Sequence, residues 1–145
     1  TVNTNETKIC SCGKSGCLEQ YASATGLVRL AKRYFEKNTK NSILTGKEIT
    51  AKEVFDAAKA GDAAALEITE EFGAYLGQAL VNLAATVDPA VFVIGGGVSK
   101  AGDILLETVR KYFYDHAFYG NQKTKITLAT LGNDAGIYGA AKQVL

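Results

Sequence analysis

The feature that most constrains the fold is the apolar run Ala90-Val91-Phe92-Val93-Ile94, which is closed by Gly95-Gly96-Gly97. A continuous run of branched and aromatic residues is typical of a parallel strand that is covered on both faces. Asp88-Pro89 stands before the run and ends the preceding helix, because a proline disfavours helical backbone in the residue before it. The run therefore predicts a central strand of an α/β sheet.

The residues after this strand predict a strand–helix–strand–helix order. A helix is expected over about 102–116, a second strand over 125–131 and a last helix over 134–145. The last helix would turn Ile137, Ala141 and Val144 inward. This order is typical of a right-handed crossover unit.

Two parallel strands are too few for a stable buried sheet, so further strands are expected from residues outside this chain or from a partner chain. The sequence contains no methionine, not even at position 1. We therefore expect the chain to be a piece of a longer product.

The first half of the chain predicts helices. Apolar spacing indicates a helix over 18–38, which is either continuous or divided into two helices at Gly26, and a polar connector over 38–49. Thr50 and Glu53 have the spacing of a capping box for a short helix that would stop at Gly61.

Asp62 is expected to cap a long helix over 63–87 with a face wide enough to pack against something large. Gly73 and Gly77, four residues apart, predict close packing of this helix against a neighbour. The apolar face is made of two adjoining stripes: Leu66, Gly73, Leu76, Leu80 and Leu83, and Ile68, Phe72, Tyr75 and Ala79.

The three cysteines of the chain, Cys10, Cys12 and Cys17, lie in one loop that contains two glycines, and Glu19 follows shortly after. Three thiolates on a glycine-turned loop can converge on one soft cation, so the spacing predicts a structural zinc knuckle. A disulfide is the alternative, but it would leave one thiol over. A structural zinc site has four ligands, and this loop supplies three.

Gly95, Gly96 and Gly97 expose backbone amides at the carboxyl end of a strand, where open α/β sheets bind ligands and a helix N-terminus favours phosphate. The dinucleotide and Walker patterns both fail, the first because position 100 is lysine. Contact with a phosphate or nucleoside and a plain tight turn remain the two interpretations.

A second glycine turn over 131–136 follows the next strand, so the two turns could form two walls of one nucleotide pocket. On spacing alone, Asp134 is better explained as a helix N-cap. His116, the single histidine, is better explained as a helix C-terminal residue than as a metal ligand.

Composition bounds the classes of function. The chain has 145 residues, 47% of them hydrophobic, and a formal net charge of +1. It is long enough for one domain with a core, and its charge gives no case for binding nucleic acid or an anionic membrane. No apolar run approaches the roughly 20 residues that cross a bilayer. Clustered cysteines favour a reducing compartment, so we expect a cytoplasmic protein.

Cys10 to Glu19 read C-x-C-G-x-x-G-C-L-E, which resembles the zinc loop of the ROK family of sugar kinases and repressors. The motifs over 93–99 and 131–136, with 139–141, resemble the nucleotide half of that family. The likeness covers nearly the whole chain and is greatest to bacterial ROK glucokinases.

The resemblance implies an actin-like, hexokinase-type α/β fold and transfer of the γ-phosphoryl group of ATP, with Mg, to a glucose 6-hydroxyl. Zinc would be bound by Cys10, Cys12 and Cys17 together with a histidine shortly before the loop, which residues 1–9 do not contain. Glu19 would contact the sugar hydroxyls. The resemblance also implies a homodimer.

Gly95, Gly96 and Gly97 would contact adenosine and phosphate. The family's general-base aspartate lies in an Asn-Asp motif upstream of the cysteine loop, and this chain lacks both that motif and the N-terminal phosphate loop. We therefore expect one C-terminal kinase segment, inactive alone, with no catalytic residue. Its parts would be a zinc loop over 1–20, a helical part over 21–87 and a nucleotide-side α/β unit over 88–145.

Two other functions remain open. The chain could belong to a sugar-responsive ROK transcriptional repressor, whose DNA-binding part would lie upstream and leave this segment near neutral. It could also be a zinc-stabilised interaction module without catalysis, which metal removal would unfold.

Overall fold

The computed structural model describes residues 1–144, in which helices pack on one face of a small two-stranded parallel sheet. β1 pairs with β2 in parallel, with Val91 opposite Lys125 and Ile94 opposite Leu128. The predicted α/β class and strand–helix–strand–helix order are confirmed. The helices and strands are α1 (Ala24–Lys37), α2 (Ala51–Lys59), α3 (Ala63–Val87), β1 (Val91–Ile94), α4 (Asp103–His116), β2 (Lys125–Leu128) and α5 (Ala135–Lys142).

The segment predicted as a helix from residue 18 is interrupted, as the two-helix interpretation expected, but the break lies before α1 and not at Gly26. Leu18–Gln20 form a separate 3₁₀ turn, and α1 begins at Ala24, with the Ser23 hydroxyl accepting the Gly26 N–H at 2.9 Å. Gly26 lies inside α1, and a Cβ at this position would lie 2.8 Å from the Tyr21 backbone. The glycine therefore allows a close approach of two segments and does not end the helix.

The predicted starts of α2 and α3 are confirmed. Thr50 and Glu53 form the reciprocal hydrogen bonds of a capping box. The Asp62 carboxylate accepts the Ala65 N–H at 2.9 Å, and Gly61 before it has a φ of +82°. Both caps satisfy amide groups that the first helical turn leaves unpaired.

The close packing predicted for α3 is confirmed, and its partner is α4. A Cβ on Gly73 would lie 2.7 Å from the Thr108 Cβ, and one on Gly77 would lie 2.9 Å from the Tyr112 ring. The predicted apolar face of α3 is only partly buried, because Leu66 and Leu83 are 40% and 49% exposed.

β1 is covered on one face only, so the prediction that both faces are buried is wrong for the described chain. Ile94 is buried, and Phe92 lies edge-to-face on Phe113 of α4 at 6.0 Å between ring centroids. Val91 and Val93 point to the other side and are 44% and 60% exposed.

The last helix also differs from its prediction. β2 ends at Leu128 rather than at residue 131, and α5 ends at Lys142. Ile137, Ala141 and Val144 were expected to point inward, but all three are exposed. The predicted end at Leu145 lies outside the described residues.

The core joins the helical part to the sheet. Its fully buried side chains include Tyr21, Leu27, Val54, Ile68, Phe72, Leu105, Val109, Phe113 and Ile126. Within residues 1–144, none of the helices has the length and apolar character needed to span a membrane.

Candidate functional site

The cysteine loop is closed by backbone hydrogen bonds at its narrow end. The Cys10 N–H donates to the Lys14 carbonyl at 2.7 Å, and the Gly13 N–H donates back to the Cys10 carbonyl at 2.9 Å. Ile9 and Ser15 form an antiparallel bridge beside this turn. Gly13 has a φ of +84°, which glycine adopts with little strain. The chain reverses here and returns towards its start.

Gly16 is required by a second close approach. A Cβ at this position would lie 1.8 Å from the Asn3 carbonyl oxygen, and the residue has a φ of +70°. The Val2 N–H donates to the Gly16 carbonyl at 2.6 Å. The first residues of the chain are therefore packed directly against the loop.

The three thiols converge. The Sγ atoms of Cys10, Cys12 and Cys17 all lie within 4.8 Å of one another, and those of Cys12 and Cys17 are 3.4 Å apart. All three are free, so the disulfide alternative is not formed. A zinc ion with sulfur ligands at about 2.3 Å in tetrahedral geometry separates those sulfurs by about 3.8 Å. The spacing and the ligand chemistry both fit a zinc ion.

The thiols influence each other's ionisation. Hydrogen bonding from the Lys14 backbone and from Cys17 lowers the pKa of Cys12. The hydrogen bond with Cys12 and partial desolvation raise the pKa of Cys17 to about 11. A thiolate at Cys12 is thus supported by a proton held at Cys17.

Histidine takes no part in the described thiol cluster. His116 ends α4, its Nδ1 lies 2.8 Å from the Tyr112 carbonyl, and its ring stacks on Tyr112 with centroids 4.0 Å apart. This position matches the predicted helix C-terminal role. Three protein ligands are present among the described residues of the loop.

Glu19 lies on the 3₁₀ turn between the cysteine loop and α1. Its Oε2 accepts the Cys10 thiol at 3.6 Å, and its Oε1 accepts the Thr25 hydroxyl at 3.3 Å. The Ser23 hydroxyl, which caps α1, also donates to the Glu19 carbonyl at 2.7 Å. The exposed carboxylate borders a groove of about 390 Å³ that Lys8, Arg29 and others line. A polar ligand in this groove could reach the Glu19 carboxylate.

The two glycine turns begin side by side at the carboxyl edge of the sheet. The Ala129 N–H donates to the Ile94 carbonyl at 2.8 Å, and a Cβ on Gly95 would lie 3.5 Å from the Ala129 Cβ. Gly95, Gly96 and Gly97 are exposed, and Gly96 has a φ of +77°. The chain segments that lead into the two predicted turns are therefore neighbours, and the backbone of the glycine triplet is exposed beside them.

The helix after the glycine triplet begins where it was predicted. A 3₁₀ turn, Gly97–Ala101, leads from the triplet into α4, which begins at Asp103 and ends at His116. Asp134 occupies the N-cap position of α5, but its side chain makes no capping hydrogen bond there.

A larger groove, about 840 Å³, lies elsewhere between α2, α3 and α4. Its walls carry charges of both signs, and Lys111 and Glu70 form an ion pair across it at 2.8 Å. Neither the cysteine loop nor the glycine triplet lines this groove.

Sequence reasoning missed two residues that support the loop. The Glu6 side chain is 2% exposed and forms ion pairs with Arg29 and Arg33. Gln20 is 7% exposed and hydrogen-bonds the backbone on both sides of the cysteines. Gln20 stands three residues after Cys17, the spacing of a capping box, which was the available signal. Nothing near Glu6 in the sequence indicates burial.

The protein is of the α/β class. It combines glycine turns at the end of a parallel sheet with a three-cysteine loop. The chain belongs to the ROK family, because the model of that family matches residues 1–145. The family resemblance inferred from the motifs is confirmed, and the α/β fold matches ROK sugar kinase structures.

The relatives of this chain include both kinases and regulators. A glucokinase from Halalkalibacterium halodurans is 44% identical over 135 residues, which are 90% of this chain and 41% of the relative. The crystal structure of a ROK family glucokinase from Streptomyces griseus in complex with glucose and AMPPNP is 36% identical. It superposes with a TM-score of 0.82 over 93% of this chain and 46% of that one.

A ROK family transcriptional regulator, described as a homologue of the E. coli MLC protein, is 27% identical. Its TM-score is 0.71 over 87% of this chain and 32% of that one. The chain therefore spans less than half the length of the relatives it matches.

Proposed function

We propose that the chain is the C-terminal segment of an ATP-dependent hexose kinase of the glucokinase type. The reaction is transfer of the γ-phosphoryl group of ATP, with Mg, to the 6-hydroxyl of glucose. The glucokinases of two bacteria, 44% and 36% identical to this chain, support that reaction.

The observation that carries the proposal is the contact between the three-thiol cluster and Glu19. Cys10, Cys12 and Cys17 would hold a structural zinc ion, and Cys10 touches the Glu19 carboxylate at 3.6 Å. A closed thiolate-rich zinc site supplies rigidity rather than reaction chemistry. In this proposal Glu19 accepts hydrogen bonds from sugar hydroxyls, and the loop fixes its position.

The adjoining glycine turns are proposed to hold the nucleotide. Gly95, Gly96 and Gly97 expose backbone at the edge where parallel sheets bind phosphates and nucleosides. Phosphoryl transfer depends on positioning and charge stabilisation, which backbone amides and Mg supply.

The division of labour follows from the residues present. We propose that the 145-residue chain is inactive alone, because a base must reach the attacking hydroxyl and the family's aspartate is not among its motifs. Residues 1–20 would form the zinc loop, 21–87 the helical part and 88–145 the nucleotide side. The kinase would act as a homodimer in the cytoplasm, where ATP and reduced thiols coexist.

A coupled ATP–glucose assay on the full-length protein that contains this chain tests the proposal. We expect turnover with glucose and a tenfold to hundredfold lower kcat/KM in Glu19→Gln, roughly the 1.5–3 kcal/mol of hydrogen bonds to a charged group. Glu36→Gln, an exposed carboxylate on α1, is the matched control. An inactive full-length protein contradicts the kinase, and full turnover by the 145-residue chain contradicts its inactivity.

A regulator is the second candidate, favoured by the transcriptional regulator with a TM-score of 0.71. It predicts sugar-dependent binding of operator DNA by the full-length protein and no phosphorylation of glucose. An interaction module with zinc predicts unfolding on metal removal and no effect of ATP on the melting temperature.

A further inference from the structure

The Gln20 side chain bridges the two ends of the cysteine loop. Its Oε1 accepts the Cys17 N–H at 3.1 Å, and its Nε2 donates to the Lys8 carbonyl at 2.9 Å. It thereby joins Lys8, which precedes the three cysteines, to Cys17, which is the last of them. The Gln20 N–H in turn donates to the Cys17 carbonyl at 3.0 Å, so side chain and backbone grip the same residue.

The backbone of Lys8 is also held by Glu6, through its N–H group. The Lys8 N–H donates to Glu6 Oε1 at 2.8 Å. Glu6 Oε2 accepts hydrogen bonds from Tyr21 and from Arg29 and Arg33 of α1. A continuous set of polar contacts therefore runs from α1 through Glu6, Lys8 and Gln20 to Cys17.

The two side chains that make most of these contacts, Gln20 and Glu6, are buried. Gln20 is 7% exposed and the Glu6 side chain 2% exposed. Hydrogen bonds of buried groups are costly to leave unmade, since the freed donor or acceptor cannot return to water. We call this set of hydrogen bonds, from Glu6 through Lys8 and Gln20 to Cys17, the clamp, and none of its hydrogen bonds is made by a thiol group.

We propose that Gln20 is a positioning residue that closes the cysteine loop before metal arrives. It holds the loop in the form in which three thiols converge and Glu19 faces the groove. The inference rests on the proposed zinc site, because it assigns the metal's affinity partly to this preformed clamp. Preorganisation raises affinity by removing the ordering cost that binding would otherwise carry.

Gln20→Met tests the clamp, because methionine has a similar length and makes neither hydrogen bond. Gln122→Met is the matched control, since Gln122 is exposed and makes a single long contact of 3.4 Å with the Tyr114 carbonyl. Gln20→Glu is a second variant that keeps an acceptor for the Cys17 N–H but turns a carboxylate oxygen, in place of a donor, towards the Lys8 carbonyl at a buried position.

The first measurement is zinc affinity, by competition with a chromophoric chelator at a temperature where each protein is folded. We expect the zinc Kd of Gln20→Met to rise by about tenfold to a hundredfold, the usual effect of losing an outer-shell partner. The Kd of Gln122→Met should stay at the wild-type value. Equal affinities in wild type and both Gln20 variants, with only a lower melting temperature, would assign Gln20 a purely structural role and overturn the inference.

The second measurement needs no metal. Cys10 is 8% exposed in the closed loop, so its alkylation by iodoacetamide in the metal-free protein reports loop opening. We expect iodoacetamide to alkylate Cys10 at least several times faster in Gln20→Met than in wild type or in Gln122→Met. If Gln20→Met does not fold, Gln20→Glu carries both measurements.

The two measurements separate the two hypotheses. A wild-type protein that binds no zinc contradicts the proposed zinc site, while Cys10 alkylation still decides the clamp. Zinc binding by the wild type with unchanged Cys10 protection and zinc affinity in both Gln20 variants contradicts the clamp alone.

Discussion

The Cys10 thiol donates to the Glu19 carboxylate, with 3.6 Å between Sγ and Oε2. A residue proposed to bind metal and a residue proposed to read the sugar are therefore direct neighbours. Cys10 must lose its proton to bind zinc and then cannot donate this hydrogen bond, so metal binding or removal changes the immediate surroundings of the Glu19 carboxylate.

Metal removal should therefore affect the sugar more than the nucleotide. We expect chelator-treated full-length protein to show a raised KM for glucose, a smaller change in KM for ATP and a lower melting temperature, all restored by zinc. Steady-state kinetics and thermal unfolding of the same samples check this. A metal-free protein with an unchanged KM for glucose would contradict the coupling.

Gly16→Ala should be strongly destabilising. The new Cβ would lie 1.8 Å from the Asn3 carbonyl oxygen, and the residue has a φ of +70°. We expect a loss of about 2–3 kcal/mol in the free energy of unfolding, measured with urea. Gly46→Ala is the control, because Gly46 has a φ of +78° and no atom within 4 Å of its Cβ, so it carries the backbone strain alone. Equal losses in both variants would mean that Asn3 does not press on the loop.

Gly73→Ala and Gly139→Ala should have opposite effects although both glycines are helical. A Cβ on Gly73 would meet Thr108 at 2.7 Å and force α3 and α4 apart, at a cost of about 1–3 kcal/mol. Gly139 has no atom within 4 Å, so alanine gains up to about 1 kcal/mol of helix propensity. Urea unfolding measures the first effect and far-ultraviolet circular dichroism the helix content in the second. A neutral Gly73→Ala would show that the helices separate freely.

Acid should lower the free energy of unfolding because it protonates Glu6. Hydrogen bonds from Tyr21 and the Lys8 backbone, with Arg29 nearby, lower the pKa of Glu6 from 4.5 to about 2. A lowered folded-state pKa contributes stability that is complete above pH 4.5 and is lost as the pH falls towards 2.

Glu6→Gln should remove about 2 kcal/mol near pH 7 and flatten the stability profile between pH 5 and 2. Urea unfolding at a series of pH values gives that profile. Glu36→Gln, an exposed carboxylate, should keep the wild-type slope. A wild-type slope in Glu6→Gln as well would place the acid sensitivity at other groups.

Local signals in the sequence were sufficient for several elements. The caps at Thr50 and Asp62 depend on residues three apart, and the hydrogen bonds form as predicted. The Gly73 and Gly77 spacing indicated a close neighbour, although only the structure identifies it as α4. The position of β1 was likewise predicted from a local apolar run.

Burial was harder to predict because it depends on what lies across from a residue. The apolar character of Val93 and Ile137 indicated a covered surface, yet both are exposed in the described chain at 60% and 71%. Glu6 was missed for the opposite reason, since a carboxylate in a polar stretch is expected in water unless its partners are known. Its partners Arg29 and Arg33 are more than twenty residues away in sequence.

The packing of Asn3 against Gly16 bears on protein engineering. The ten residues from Cys10 to Glu19 look like a metal-binding motif that could be moved to another protein. The loop nevertheless packs on the chain's first residues (its floor), where the Val2 N–H donates to the Gly16 carbonyl at 2.6 Å. A graft of those ten residues into another scaffold would lose that floor and the anchoring by Lys8 and Glu6. The smallest transferable unit begins at the chain's first residues and extends through α1.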